Sequence, residues 1–221
     1  GARLLTISGG EVESGVVVFQ GGRITAVGPS VPIPAGAEIL DVSGKTVMPG
    51  LLDGHIHITS MPAFLDLQGH LQQNLRAVGK LRTSLLRGVT TVANMGGCPE
   101  NVLLREAIDE GHIHGVARML VGAMVNATGG HVRGRTADGP WEVRRAVREM
   151  VSARADFIKT AASGGFQWQH ERVEWPDYSL EELQALVEEA HSRDKLVAVH
   201  AHSQPGLSRA IEAGCDVIAH G

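Results

Sequence analysis

From Met48 onward the chain alternates short apolar runs with longer stretches of helical periodicity, and this rhythm limits the fold more than any other feature. The runs are Leu51–His57, Thr90–Met95, Ala117–Gly122, Asp156–Ala161, Leu196–His202 and Asp216–Gly221. Between them the spacing predicts helices over Gln68–Arg87, Glu100–Glu110, Trp141–Ala153, Leu180–Arg193 and Leu207–Ala213. Ser179 followed by Glu182 is a capping box, which marks where one helix starts. Strand alternating with helix implies parallel strands joined by crossovers, an α/β arrangement. Six strands are visible. A closed eight-stranded barrel uses roughly 250 residues, about 80 more than remain after Met48, whereas a doubly wound open sheet needs no extra chain.

The residues before Met48 read differently. Leu4–Ile7, Val16–Phe19 and Arg23–Val27 are β-branched runs punctuated by Gly9-Gly10 and Gly21-Gly22, and Pro29, Pro32 and Pro34 then break the pattern. The expectation is a partial β-sandwich domain over residues 1–47, incomplete alone, and an α/β domain over 48–221. With 43% hydrophobic residues in 221, the chain can bury a sizeable core. A net charge of −4 argues against a nucleic-acid surface, which needs a basic face. The longest apolar runs are too short to span a bilayer. Two cysteines, Cys98 and Cys215, make no disulfide framework, so a reducing, cytoplasmic setting is expected; a leader upstream of Gly1 would change that.

Eleven histidines are the informative excess. In Asp53-Gly54-His55-Ile56-His57, side chains two apart share one face of an extended strand, their Cα atoms about 6.5–7 Å apart. His55 and His57 can therefore converge on one cation, for which imidazole nitrogen is a suitable ligand. Alternatively, one of them is a packed residue. His200 and His202 repeat the pattern, and His220 ends the next strand. Imidazoles at the C-terminal ends of several parallel strands face a single site. Lys159, at the end of an otherwise apolar run, is either a lysine snorkelling to solvent or a desolvated amine with lowered pKa. Such an amine can form a Schiff base, or react with CO₂ to give a carbamate that bridges two metal ions. The position between two histidine pairs favours the carbamate.

These residues resemble the metal-dependent amidohydrolase superfamily, in its imidazolonepropionase-like and Xaa-Pro dipeptidase-like branch. The resemblance rests on VMPGLLDGHIH, GVTTVANMGG, NATGGHV, DFIKTAASGG, VAVHAHS and GCDVIAHG, which occur in the family's order. It implies a (β/α)8 TIM-type barrel, here truncated after about six β/α strands, behind a small N-terminal β-sandwich part. It further implies that His55 and His57 bind one divalent metal ion, that carboxylated Lys159 bridges to a second, and that His200 and His220 hold the second. Two zinc ions are the first expectation. His202 and His131 become substrate-contacting residues, although a solvated loop histidine is an equally good reading of His131 from sequence. Arg133 and Arg135 are either partners for a substrate carboxylate or a solvated charge cluster.

The resemblance also implies an aspartate at the end of an eighth strand as general acid/base, and no residue of this chain matches it. Asp53 reads as a structural strand-end residue. The reaction implied is hydrolysis of an amide-like C–N bond in a small-molecule or dipeptide substrate, with no nucleic-acid or membrane partner and with room for homo-oligomerisation. Residues 1–221 alone are expected to be inactive. The alternatives are a non-catalytic metal-binding fragment and a Schiff-base lyase using Lys159; the lyase leaves the histidines unexplained. Met124–Pro140 and Ser163–Tyr178 are the candidate substrate walls, with Trp168 and Trp175 in the second.

Overall fold

The computed structural model describes residues 1–59, 67–97, 100–116, 118–131, 133–169 and 171–221, so Cys98 lies outside the described residues. They form two compact units, Gly1–Leu51 and Leu52–Gly221. The first carries β1 (Ala2–Leu5), β2 (Glu11–Gln20), β3 (Arg23–Gly28) and β4 (Thr46–Val47) in one sheet of order β3-β2-β1-β4. Neighbours β1/β2 and β2/β3 are antiparallel, while β4 runs parallel to β1. β2 begins well before the β-branched run at Val16, because Glu11 and Val12 pair with Leu5 and Leu4. Pairing to β1 extends the strand through residues whose composition alone does not favour it.

After β5 (Leu51–Ile56), the chain continues through α1 (Leu67–Leu86), β6 (Val89–Asn94), α2 (Asn101–Asp109), β7 (Arg118–Asn126), β8 (Arg135–Thr136) and α3 (Gly139–Ser152). It ends with β9 (Phe157–Ala161), α4 (Leu180–His191), β10 (Val197–His200), α5 (Gln204–Ala213) and β11 (Val217–Ala219). The sheet order is β11-β10-β9-β7-β6-β5, with β8 beside β7. The pairings β6/β7, β7/β9, β9/β10 and β10/β11 are all parallel. Laid flat, six strands would hold the two edges about 24 Å apart. The rings of His55, on edge strand β5, and His220, just after edge strand β11, instead have centroids 4.7 Å apart. The sheet is therefore curled into most of a barrel.

Strand alternation sorts side chains between two cores. Val92, Met119 and Val121 pack with Ala77, Leu81, Val102 and Ile108 of α1 and α2. Ile158, Val197 and Val199 pack with residues of α3, α4 and α5. Their neighbours Ala93, Phe157, Ala198 and Leu120 form a cluster without any helical residue, inside the curl. Lys159 lies opposite Ala198 in the β9/β10 ladder, and His200 is two residues beyond Ala198 on the same face.

The capping box of α4 is present, with Ser179 Oγ accepting from Glu182 N–H (3.3 Å) and Glu182 accepting from Ser179 N–H (2.9 Å). α5 starts at Gln204, three residues before the apolar periodicity, because Ser203 caps it and Pro205 suits the first turn. β7 runs to Asn126, past the expected end at Gly122, so part of the expected 124–140 loop is strand. Among the described residues, no helix is long and apolar enough to cross a membrane.

Glu189 of α4 ties that helix to α3 by accepting from Arg148 (2.8 and 3.0 Å) and also accepts from Arg193. The Arg148 bond chiefly holds its carboxyl below the usual range, against the opposing effect of burial, with Arg193 adding to it. A lowered carboxyl pKa stabilises the fold above the unfolded value, and that contribution is lost as pH falls through the folded value. Denaturant unfolding below about pH 4 is expected to show this loss, and Glu189→Gln is expected to flatten that acid limb.

Candidate active site

Period-two alternation along β5 turns His55 and His57 one way, while Ile56 packs against the cluster beneath α1 and α2. The two Nε2 atoms stand 3.3 Å apart. His57 Nδ1 lies 3.0 Å from the carbonyl of Gly96, so the natural tautomer donates from Nδ1 and leaves Nε2 as a lone pair. Gly96 has φ +118, and a Cβ there would meet Met124 at 2.5 Å, so this carbonyl position depends on glycine.

The other histidines join the same cluster. Ring centroids lie 4.9 Å apart for His200–His220, 4.6 Å for His200–His202, 4.9 Å for His202–His220 and 3.9 Å for His131–His200. His220 sits at φ +71, a left-handed conformation uncommon for a non-glycine residue. The structure thus brings His55, His57, His131, His200, His202 and His220 together. His200 and His131 are buried, His55 half-buried, and His57, His202 and His220 exposed at the rim.

Lys159 is 1% exposed beneath them, and burial pulls its amine down to about 8. Among the described residues no carboxylate pairs with it. Burial, then the Lys159 charge, brings His55 down to about 4. Burial, then His131, brings His200 to about 2. His57 and His220 are also lowered, chiefly by burial. Neutral imidazoles leave nitrogen lone pairs available to cations, and an amine lowered to about 8 gives up its proton more readily than a free lysine. Among the described residues, no three His, Cys, Asp or Glu side chains already enclose an ion-sized point.

Other sequence candidates are placed as follows. Asp53 lies inside β5 and not at its end, and its Oδ1 accepts the His55 N–H (3.2 Å), a local structural contact. Arg135 is committed to Glu149 (2.7 Å) and Glu142 (3.2 Å) around α3. The Arg133 guanidinium lies 3.9 Å over the ring of Trp168, which anchors its loop by donating to the His131 carbonyl (3.2 Å). Trp175 stays 55% exposed. His131 is 8% exposed, so the solvated-loop reading does not describe it.

Two groups escape sequence reasoning. Behind the β5 end, Asn94 Oδ1 accepts the Ile58 N–H (3.0 Å), and its amide donates to Asn101 Oδ1 (2.9 Å), which also takes Thr59 Oγ1 (3.1 Å). Asn101 in turn donates to Asn74 of α1 (2.9 Å). This buried chain of amides fixes the backbone just past His57. The only sequence hint was asparagine at apolar positions. The second group is the carboxylates Glu171 and Asp177, which accept from the His131 ring (2.7 Å) and backbone N–H (2.7 Å), respectively. They lie 40 and 46 residues from His131, so no local spacing reveals them.

With this geometry in place, comparison with known proteins decides the family. The amidohydrolase family model matches residues 46–221. The chain belongs to the amidohydrolase family. This amidohydrolase is 30% identical over 207 residues to the ochratoxinase of Aspergillus niger, covering 79% of this chain and 43% of that protein. It is 25% identical to the imidazolonepropionase of Roseobacter denitrificans, covering 99% of this chain and 52% of that protein. Among solved structures, it resembles a prolidase complexed with N-methylphosphonate-L-proline, with TM-score 0.87 and 29% identity over 99% of this chain and 59% of the prolidase. The chain thus spans roughly half the length of these relatives.

Asn94→Ala leaves the Ile58 N–H and the Asn101 carbonyl oxygen without this partner. Equilibrium unfolding is expected to show a loss of about 1–3 kcal/mol.

Proposed function

We propose that the protein carrying this chain is a divalent-metal-dependent hydrolase that cleaves an amide-type C–N bond in a small substrate of Xaa-Pro or N-acyl amino acid type. The observation that carries this reading is the gathering of imidazoles from three strand ends around a buried lysine that, among the described residues, pairs with no carboxylate. His131 and His200 are buried there, and buried ring nitrogens are costly unless something occupies them. The 3.3 Å between the Nε2 atoms of His55 and His57 suits two nitrogens on one tetrahedral ion with bonds of about 2.0–2.1 Å. The donor set therefore fits a metal, zinc first among the candidates because nitrogen dominates it.

In this reading His55 and His57 hold one ion, and His200 and His220 hold a second. Lys159 would supply an anionic ligand to these ions: its neutral Nζ adds to CO₂, the N–C bond forms as one C=O π bond breaks, and the nitrogen's proton passes to water, leaving a carbamate. That negative charge offsets the repulsion between two adjacent cations. When bound, the ions supply Lewis acidity toward the substrate carbonyl and acidify water. His131 and His202 face the substrate, with the 163–178 loop as a wall. The relatives' names support the substrate class, a prolidase with a proline phosphonate and an ochratoxinase.

The same reading makes the curled sheet six strands of a (β/α)8 barrel and the N-terminal sheet one layer of a sandwich, since the chain covers 59% of the prolidase. The acid/base aspartate implied for strand eight then belongs to the remaining part of such a protein. Residues 1–221 by themselves would bind metal without turning over substrate.

The test is the full-length protein, supplied with Zn²⁺ or Mn²⁺ and bicarbonate and assayed against Xaa-Pro dipeptides and N-acyl amino acids. Hydrolysis that is lost on chelation and regained with metal is expected. Hydrolysis indifferent to chelation would overturn the metal roles, and no turnover across the panel would overturn the amide assignment.

A further inference from the structure

The described residues of the segment after β9, Ser163–Tyr178, contain no helix or strand, yet one carboxylate organises them. The side chain of Glu171 is only 3% exposed. Its Oε2 accepts from His131 Nδ1 (2.7 Å) and from the Gly165 N–H (3.1 Å). Its Oε1 accepts from the backbone N–H groups of Gln167 (2.5 Å) and Trp168 (2.8 Å). A carboxylate offers about four lone-pair sites, and each oxygen here takes two donors. Burial pushes the carboxyl pKa up, but the bonds from His131 and the N–H groups of Trp168 and Gly165 outweigh it and the net shift is downward. The group is held as an anion.

The loop's own donors would suffice for a staple that only shapes it. The fourth donor, however, is a ring from the segment after β7, and that ring is constrained on its other sides as well. It stacks on His200 at 3.9 Å between centroids. Gly165 lies so close that a Cβ there would stand 2.2 Å from the ring's Cε1. Asp177 accepts the His131 backbone N–H at 2.7 Å, and Trp168 donates to the His131 carbonyl at 3.2 Å.

We infer that Glu171 is a positioning residue for substrate binding, fixing His131 as the Nδ1–H tautomer so that Nε2 is the nitrogen presented to substrate, and tying that orientation to the backbone of Gly165, Gln167 and Trp168. An acidic partner on one ring nitrogen sets which nitrogen is free. Gly165 contributes by leaving room for the ring face. The inference deepens the proposed function, because it rests on His131 meeting the substrate; the tautomer and loop geometry do not.

The experiment is two-dimensional NMR of histidine ring nitrogens in the full-length protein, with His131→Asn assigning the signals. A proton on Nδ1 and none on Nε2 of His131 is expected. Glu171→Gln, which keeps the size but brings an NH₂ into a site filled by donors, is expected to lose this single tautomer. It should also raise KM by about 10-fold or more with a smaller change in kcat. Glu171→Asp tests whether a shorter carboxylate partly restores both. Gly165→Ala crowds the ring while leaving the carboxylate intact, and the same KM effect is expected; it decides the matter if Glu171→Gln does not fold. A wild-type proton on Nε2 would overturn the inference. So would a Glu171→Gln protein that melts earlier but keeps the tautomer and KM, since Glu171 would then only shape the loop. The tautomer readout requires neither substrate nor metal, so a failed hydrolase assignment and a failed positioning role give different results.

Discussion

The two-residue repeat of extended chain within a curled parallel sheet governs the rest of this structure. A strand shows alternate residues to opposite faces, and here one face belongs to the helices. Val197 and Val199 take the helical side of β10, so Ala198 and His200 must take the inner side. The same division sets Lys159 inward against Ile158, and His55 and His57 against Ile56. Curling then shortens what would be a wide gap between β5 and β11 to imidazole contact at 4.7 Å. Neither factor alone makes a site. Without the curl, the alternation spreads these rings across a sheet. Without the alternation, the curl encloses only aliphatic side chains.

The electrostatic consequence is unusual for an interior. A lysine nine-tenths buried or more is ordinarily paired with a carboxylate. Here Lys159 is 1% exposed and surrounded by imidazoles that its own charge helps keep neutral. Positive charge on Lys159 discourages protonation of His55 and His220, while burial eases loss of the lysine's own proton. The unprotonated state is the one in which amines add CO₂ and imidazoles accept cations. The carboxylates nearby serve different ends. Glu171 and Asp177 act on His131 and the loops, not on the amine.

Much of this was legible in the sequence because it depends on local periodicity. The HxH of β5, the paired histidines after Val199 and the capping box at Ser179 each lie within a few residues, where strand or helix geometry determines who faces whom. Element boundaries were less legible wherever pairing or capping overrides composition. Examples are the early start of β2 against β1 and the start of α5 at Gln204. Least legible were the supports of the site. Asn94, Asn101, Glu171 and Asp177 act across loops and helices, at separations where only the folded chain defines neighbours. Arg135, a candidate for substrate from sequence, is instead held by two glutamates around α3.

The most direct test of this account is ¹³C NMR of the metal-loaded full-length protein prepared with ¹³C-bicarbonate, alongside Lys159→Ala. A carbamate resonance in the wild type, absent from the variant together with its bound metal, is the predicted result. A metal-loaded protein whose Lys159 amine remains unmodified would contradict it.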